Sequence, residues 1–108
     1  MYGGGVQVRD WIYVEDFCKA LDVVTRKGSM GEAYNIPGFN ERKNIEVVEK
    51  ILELLGKPKS LIKVVEDYPG HDYRYSMRGD KILALGWKPK TSWINGLRKT
   101  IEWYVNNE

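Results

Sequence analysis

A single cysteine and a single histidine are all that this 108-residue chain has of the two side chains that most often close disulfides or hold metals. One thiol cannot form an intrachain disulfide, and one Cys with one His cannot complete a protein-only zinc site. The composition therefore implies a reducing, cytoplasmic setting and a metal-free protein. Long apolar runs are missing too, which argues against a transmembrane span and a secretory signal. Charge of one sign is not in excess: 17 Lys and Arg stand against 15 Asp and Glu, a net +2, with the basic residues scattered. That is far from the concentrated positive field of non-specific nucleic-acid binding. No repeat, low-complexity tract or Pro- or Ser-rich linker divides the chain, so residues 1–108 read as one domain. What the chain does have is 43% hydrophobic and 12% aromatic residues, with four Trp and seven Tyr to fill a core. A chain of this length hides roughly 60 to 65% of its unfolded surface on folding, enough for a core of modest stability.

Periodicity divides the chain into alternating elements. Residues 8 to 14 are rich in β-branched and aromatic types in alternation and predict a strand or extended segment. A helix follows from Glu15, with Glu15 and Asp16 at its positive end, apolar Phe17, Ala20, Leu21 and Val24 at helical spacing, and Lys27 and Gly28 at its close. Ala33 to Ile36 is a short strand candidate ended by Pro37 and Gly38. The polar stretch Phe39 to Lys43 leads to Asn44, an N-cap for a second helix striped by Val48, Ile51, Leu52 and Leu55 and closed by Gly56 and Pro58. Leu61 to Val65 suits a third strand, and Glu66 to Tyr75 is a polar, aromatic loop. Asp80 can cap a short helix through Leu85, and Ser92 a last helix with Ile94, Leu97, Ile101 and Tyr104 along one face. The order β, α, β, α, β, α, α argues for an α/β fold, but three short strands are few for a self-sufficient sheet that needs helices on both faces. A missing partner is implied.

Catalytic constellations are absent. Gly3, Gly4 and Gly5 precede a strand instead of following one, no phosphate loop ends in Gly-Lys-Ser/Thr, and no Tyr stands four residues before a Lys. Cys18 lies inside the first predicted helix with no activator beyond Lys19, the setting of a half-buried core thiol. His71 differs, because it sits in a loop between elements. Arg9 next to Asp10 suits a strand-end ion pair, or an anion contact. Arg9, His71 and the helix N-terminus at Asn44, whose free amides would point outward, could together hold an anion or a sugar diphosphate. That is binding chemistry without a nucleophile.

Several segments carry a family resemblance. Val8-Arg9-Asp10-Trp11-Ile12-Tyr13-Val14-Glu15-Asp16, Tyr34-Asn35-Ile36, Pro69-Gly70-His71-Asp72 with Arg74-Tyr75, and Leu85-Gly86-Trp87-Lys88-Pro89 before Gly96-Leu97-Arg98-Lys99-Thr100 resemble the C-terminal part of the dTDP-glucose 4,6-dehydratases. These are nucleotide-sugar enzymes of the extended short-chain dehydrogenase/reductase group, and the resemblance covers essentially the whole chain. It implies a small C-terminal substrate-binding portion of such an α/β enzyme, with few short strands and about four helices, without the Rossmann domain that binds NAD and carries the catalytic Tyr-x-x-x-Lys. It implies lyase chemistry in the complete enzyme: oxidation of the sugar at C4 by NAD, loss of water across C5 and C6, and return of the hydride to C6. On the resemblance, Arg9 contacts the diphosphate or nucleotide, Asn44 hydrogen-bonds the same region, and His71 caps the substrate. Tyr68 stands where the family loop usually has Arg, Phe17 where His is common, and Gly4 where an acidic or amide residue is common.

The expectation is thus a nucleotide-sugar-binding fragment, catalytically incomplete alone, with no cofactor of its own and NAD belonging to the complete family enzyme. A separate N-terminal Rossmann half and a second copy of the chain are its expected protein partners. The competing reading is an interaction module that complements such a half or docks on a full-length homologue. A nucleic-acid surface built from Tyr68, Tyr73, Tyr75, Arg74 and Arg78 is disfavoured by the scattered charge.

Overall fold

The computed structural model describes residues 1–74 and 77–107, so Tyr75 of the aromatic loop lies outside the described residues. Among them the fold is a small α/β arrangement of four helices and one two-stranded sheet. The chain divides into two compact units, one of residues 1–9 and 41–75 and one of residues 10–40 and 76–108.

The short strands β1 (Val8–Asp10) and β2 (Glu41–Lys43) pair, and all of their residues but Asp10 belong to the first unit. The Asn44 amide donates to the Gln7 carbonyl at 2.9 Å and the Trp11 amide to the Asn40 carbonyl at 3.1 Å, a register that makes the pair antiparallel. Of the strand or extended segment expected over residues 8 to 14, only Val8–Asp10 pairs as a strand, because the chain then leaves the ladder. The polar stretch expected as a connection forms β2 instead. That strand runs directly into helix α2 (Asn44–Leu55), so the cap position falls on extended Lys43, whose amide donates to the Glu46 carboxylate at 3.3 Å. Asn44 is therefore the first helical residue and not the expected N-cap. Gly56, in the left-handed conformation at φ 67°, ends the helix as predicted. The expected third strand is reduced to a single bridge between Val65 and Tyr2, after a 3-10 turn over Lys59–Leu61. Residues around Arg74 run parallel beside β1, with the Val8 amide donating to the Tyr73 carbonyl at 2.7 Å, and this contact brings the His71 loop to β1.

The second unit contains α1 (Val14–Lys27), α3 (Asp80–Ala84) and α4 (Trp93–Asn106). Ala20, Ile82 and Trp87 are its buried centre, wrapped by Ile12, Val23, Val24, Ile36 and Leu85. Ala33 to Ile36 has no strand assignment. Ile36 packs on this core and Pro37 is fully buried, and the segment has no neighbouring strand among the described residues to pair with. Asp80 is the first residue of α3, Gly79 taking the cap position, whereas Ser92 caps α4 as expected by accepting the Asn95 amide at 3.3 Å. Helix α1 has two apolar faces. Ala20, Val23 and Val24 turn to the core while Val14, Phe17 and Leu21 are exposed, and Cys18, expected as a half-buried thiol, is exposed with them.

Asp16 is an acidic residue on the buried face of α1. Its side chain accepts the Thr91 amide at 3.0 Å and its carbonyl accepts the Trp87 indole N–H at 3.1 Å, which ties the helix to the Leu85–Pro89 segment. Truncation in Asp16→Ala leaves the Thr91 amide unpaired and should lower the unfolding free energy by about 1 to 3 kcal/mol in urea. An unchanged midpoint would show that the carboxylate does not organise this contact.

Candidate functional site

Polar side chains converge in the first unit, where the segment through β1 meets the loop that follows Val65. Alternation along an extended chain places Gln7 and Arg9 on one face, and both reach His71. Arg9 Nη1 donates to the carbonyls of Val8 at 2.8 Å and Tyr73 at 3.4 Å, and Nη2 to the Asp72 carbonyl at 2.9 Å. Nη2 also lies 3.1 Å from His71 Nε2. The other ring nitrogen, Nδ1, is 2.6 Å from Asp67 Oδ1, and Gln7 Nε2 donates to Asp67 Oδ2 at 2.9 Å. Carbonyls and a ring nitrogen thus hold the Arg9 guanidinium in one orientation.

Aromatic rings cover one side of this cluster. Tyr68 stacks on His71 with ring centroids 4.3 Å apart and planes inclined by 21°, and Tyr2 meets both rings edge-on at 5.3 and 5.9 Å. The His71 side chain is left only 10% exposed, while Tyr68 is half exposed.

Asp67 senses both influences. Burial pushes its carboxyl up, but hydrogen bonds from His71, the Tyr68 amide and Gln7, with the positive charge His71 can carry, bring it below the usual carboxylate range. A carboxyl depressed on folding stabilises the protein above its unfolded pKa of about 4, and that contribution disappears as pH falls through the lower folded value. The stability gap between the wild type and Asp67→Asn, measured by chemical denaturation, should be constant near neutrality and close in acid. A gap that stays constant down to the acid transition would contradict this linkage.

The structure thus brings Arg9, His71 and Tyr68 together. Asn44 is linked to them through its own amide, which donates to the Gln7 carbonyl, and the next amide, of Ile45, donates to Gly5 O at 2.9 Å. These first two amides of α2 are occupied, so the outward-pointing amides expected at this helix end are not found at Asn44 and Ile45, and Asn44 can serve a ligand only through its side chain. Gly5 explains the close approach: it adopts φ 68°, and a Cβ there would lie 2.9 Å from the Ile45 nitrogen. The glycines at 3–5 are spent on packing against α2 and on a tight turn, and do not fit a dinucleotide cradle. Arg9 and Asp10 go separate ways, since the Asp10 carboxylate accepts the amides of Gly38 and Asn40, each at 2.9 Å. Two members of the cluster had no role assigned from sequence, Gln7 and Asp67. The signal for Gln7 was an uncharged polar residue placed two positions before Arg9 in an extended segment; it is 3% exposed. Arg74 pairs with Glu41, and Arg78 with Asp80 at 2.9 Å, so the arginines of the nucleic-acid reading already have acidic partners. No helix among the described residues is long and apolar enough to cross a membrane.

A small α/β chain with a polar, nucleophile-free cluster on a short strand fits the sugar-nucleotide branch of the dehydrogenase-like enzymes. The chain belongs to the family described as GDP-mannose 4,6 dehydratase, which its sequence matches over residues 1–100. Within it, the chain matches the C-terminal region of dTDP-glucose 4,6-dehydratases. It is 51% identical over 115 residues to dTDP-glucose 4,6-dehydratase 1 of Escherichia coli, an alignment covering 99% of this chain and 32% of that protein. The solved dTDP-glucose 4,6-dehydratase of Bacillus anthracis in complex with NAD superimposes with a TM-score of 0.91 at 50% identity, over 100% of this chain and 34% of that one. The dTDP-glucose 4,6-dehydratase of Streptomyces venezuelae with NAD and TYD bound gives a TM-score of 0.92 at 40% identity, covering 98% and 33%. The chain spans about a third of the length of the relatives it matches.

Proposed function

We propose that this chain is the nucleotide-sugar-binding portion of a dTDP-glucose 4,6-dehydratase, with Arg9 as the contact for the diphosphate. The supporting observation is the guanidinium of Arg9, pinned by the carbonyls of Val8, Asp72 and Tyr73 and by His71. A cation oriented in this way is suited to a bidentate phosphate contact. His71 and Tyr68 form an aromatic wall beside it, and the Asn44 side chain at the start of α2 supplies an amide. Oxidation and return of the hydride would belong to NAD in the complete enzyme, and the residues of this chain would bind and orient the nucleotide sugar. Titration calorimetry of the purified chain with dTDP, with thymidine as the control, tests the reading. Saturable heat with dTDP and none with thymidine is expected; equal heats, or none at millimolar dTDP, would contradict a diphosphate site.

A second reading is favoured by α1, where Val14, Phe17 and Leu21 are 62%, 38% and 47% exposed along one face. Such a stripe suits a protein partner, either a separate Rossmann half or a second copy of the chain. Sedimentation of the chain over a wide concentration range distinguishes this reading, because a strict monomer that ignores an added N-terminal half would rule it out.

A further inference from the structure

We propose that Gln7 and Asp67 are positioning residues that lock His71 in its neutral Nδ1–H tautomer and so present Nε2 as the acceptor that orients Arg9. For its ligand half the proposal rests on the diphosphate reading above; for its tautomer half it does not.

Donors and acceptors on either side of the ring fix its tautomer. A guanidinium only donates, so Nε2, 3.1 Å from Arg9 Nη2, must carry a lone pair. An ionised carboxylate only accepts, so Nδ1, 2.6 Å from Asp67 Oδ1, must carry the proton. One tautomer satisfies both contacts, and it leaves Gln7 Nε2, 3.2 Å from Nδ1, donating to Asp67 Oδ2 and not to the ring. The other would aim a lone pair at the carboxylate and an N–H at the guanidinium, and the imidazolium would keep the second conflict. Arg9 and Asp67 are thus the charged groups that face the ring, one on each nitrogen, while Tyr68 and Tyr2 cover it.

Asp67 can do this only if it is itself held. Its Oδ1 also accepts the Tyr68 amide at 2.9 Å, and its Oδ2 accepts Gln7 Nε2. Gln7 is 3% exposed, and its Oε1 is buried without a hydrogen-bond partner among the described residues. A buried amide that leaves its oxygen unsatisfied is poorly suited to packing alone. Rotating it would pair that oxygen but set it against the Asp67 carboxylate, so the contact to Asp67 decides its orientation. The chain Gln7, Asp67, His71, Arg9 then reads in one direction: the buried amide fixes the carboxylate, the carboxylate fixes the ring, and the ring fixes the guanidinium. Outer partners of this kind set the orientation of the groups that touch a ligand.

The sequence has one histidine, so ring nitrogen signals from the labelled chain are unambiguous. Long-range proton–nitrogen NMR correlations at a pH where His71 is neutral should show Nδ1 protonated and Nε2 bare in the wild type. Asp67→Ala should revert to the Nε2–H form that prevails in water. Asp67→Asn, which keeps a carbonyl oxygen for Nδ1–H, should restore the Nδ1–H form, and Gln7→Met should give a mixture. In calorimetry Asp67→Ala and Gln7→Met should weaken dTDP binding by roughly ten-fold, about 1.4 kcal/mol, with Asp67→Asn closer to wild type. An Nε2–H tautomer in the wild type would overturn the proposal whatever the variants do, as would Asp67→Ala retaining the wild-type pattern. Should Asp67→Ala fail to fold, the wild-type spectrum and Gln7→Met still decide. Tautomer changes with undiminished dTDP affinity would overturn the ligand half alone. A wild type with the expected tautomer but no dTDP binding would refute the diphosphate reading and leave the positioning of His71 standing.

Discussion

Gly38→Ala should destabilise the protein by about 3 kcal/mol, at the upper end of what overpacking produces. A Cβ at Gly38 would stand 2.1 Å from the Trp11 carbonyl oxygen, 2.7 Å from its carbon and 3.0 Å from Ile12 Cβ. The first two are backbone atoms, so no side-chain rotation relieves them. Nor can the turn move alone: the Asp10 carboxylate holds the amides of Gly38 and Asn40, the Trp11 amide donates to the Asn40 carbonyl, and Phe39 between them is already left-handed at φ 57°. A shift large enough to admit the methyl would break several of these at once. For a domain of about a hundred residues this corresponds to a fall in melting temperature of roughly 10 °C or more, readable by circular dichroism. Gly31, which a Cβ would leave with open space around it, is a control for loss of a glycine as such, although its φ of 80° makes that substitution mildly strained. A Gly38→Ala protein no less stable than Gly31→Ala would show that the 38–40 turn is not tightly held.

Arg9→Ala should raise the dissociation constant for dTDP by about ten-fold to a hundred-fold, the equivalent of 1.5 to 3 kcal/mol for charge-assisted hydrogen bonds. The side chain has two duties, and the variants can separate them. In the proposed reading it offers its positive charge to the diphosphate, and it clasps the carbonyls of Asp72 and Tyr73, which holds the His71 loop against β1. Arg9→Lys keeps the charge but not the planar fork, so its affinity should fall between the two. Arg9→Ala with unchanged affinity and unchanged loop would remove Arg9 from the site. Equal losses in Arg9→Lys and Arg9→Ala would mean that the fork, and not the charge, matters.

Local signals in the chain were dependable where a local cause settles the structure. Ser92 caps α4 and Gly56 ends α2 because a side-chain oxygen or a left-handed backbone suffices there. Helix α1 was visible from its periodicity, but the pattern merged two faces: Phe17 and Leu21 share the spacing of Ala20 and Val24 and yet are exposed. Hydrophobic spacing says that a face is apolar and not what it meets. Strands fared worst. A strand exists only when a neighbour accepts its hydrogen bonds, and neither Ala33 to Ile36 nor Leu61 to Val65 has the ladder its composition suggested, while polar Glu41–Lys43 does.

The candidate site divides along the same line. Arg9, His71, Tyr68 and Asn44 could be picked out along the chain because residue type and motif are written there, and so could the family. That Asp67 lies against His71 is a local matter of four residues. Bringing Gln7 and Arg9 to a histidine more than sixty residues away required the segment around Arg74 to run beside β1. The same packing occupied the Asn44 and Ile45 amides with the carbonyls of Gln7 and Gly5. Hydrogen-bond partners at that separation depend on strand pairing, which no local propensity encodes. The composition and motifs therefore determine which chemistry is available to this protein, and the tertiary pairing of β1 with the His71 loop decides which of those groups meet.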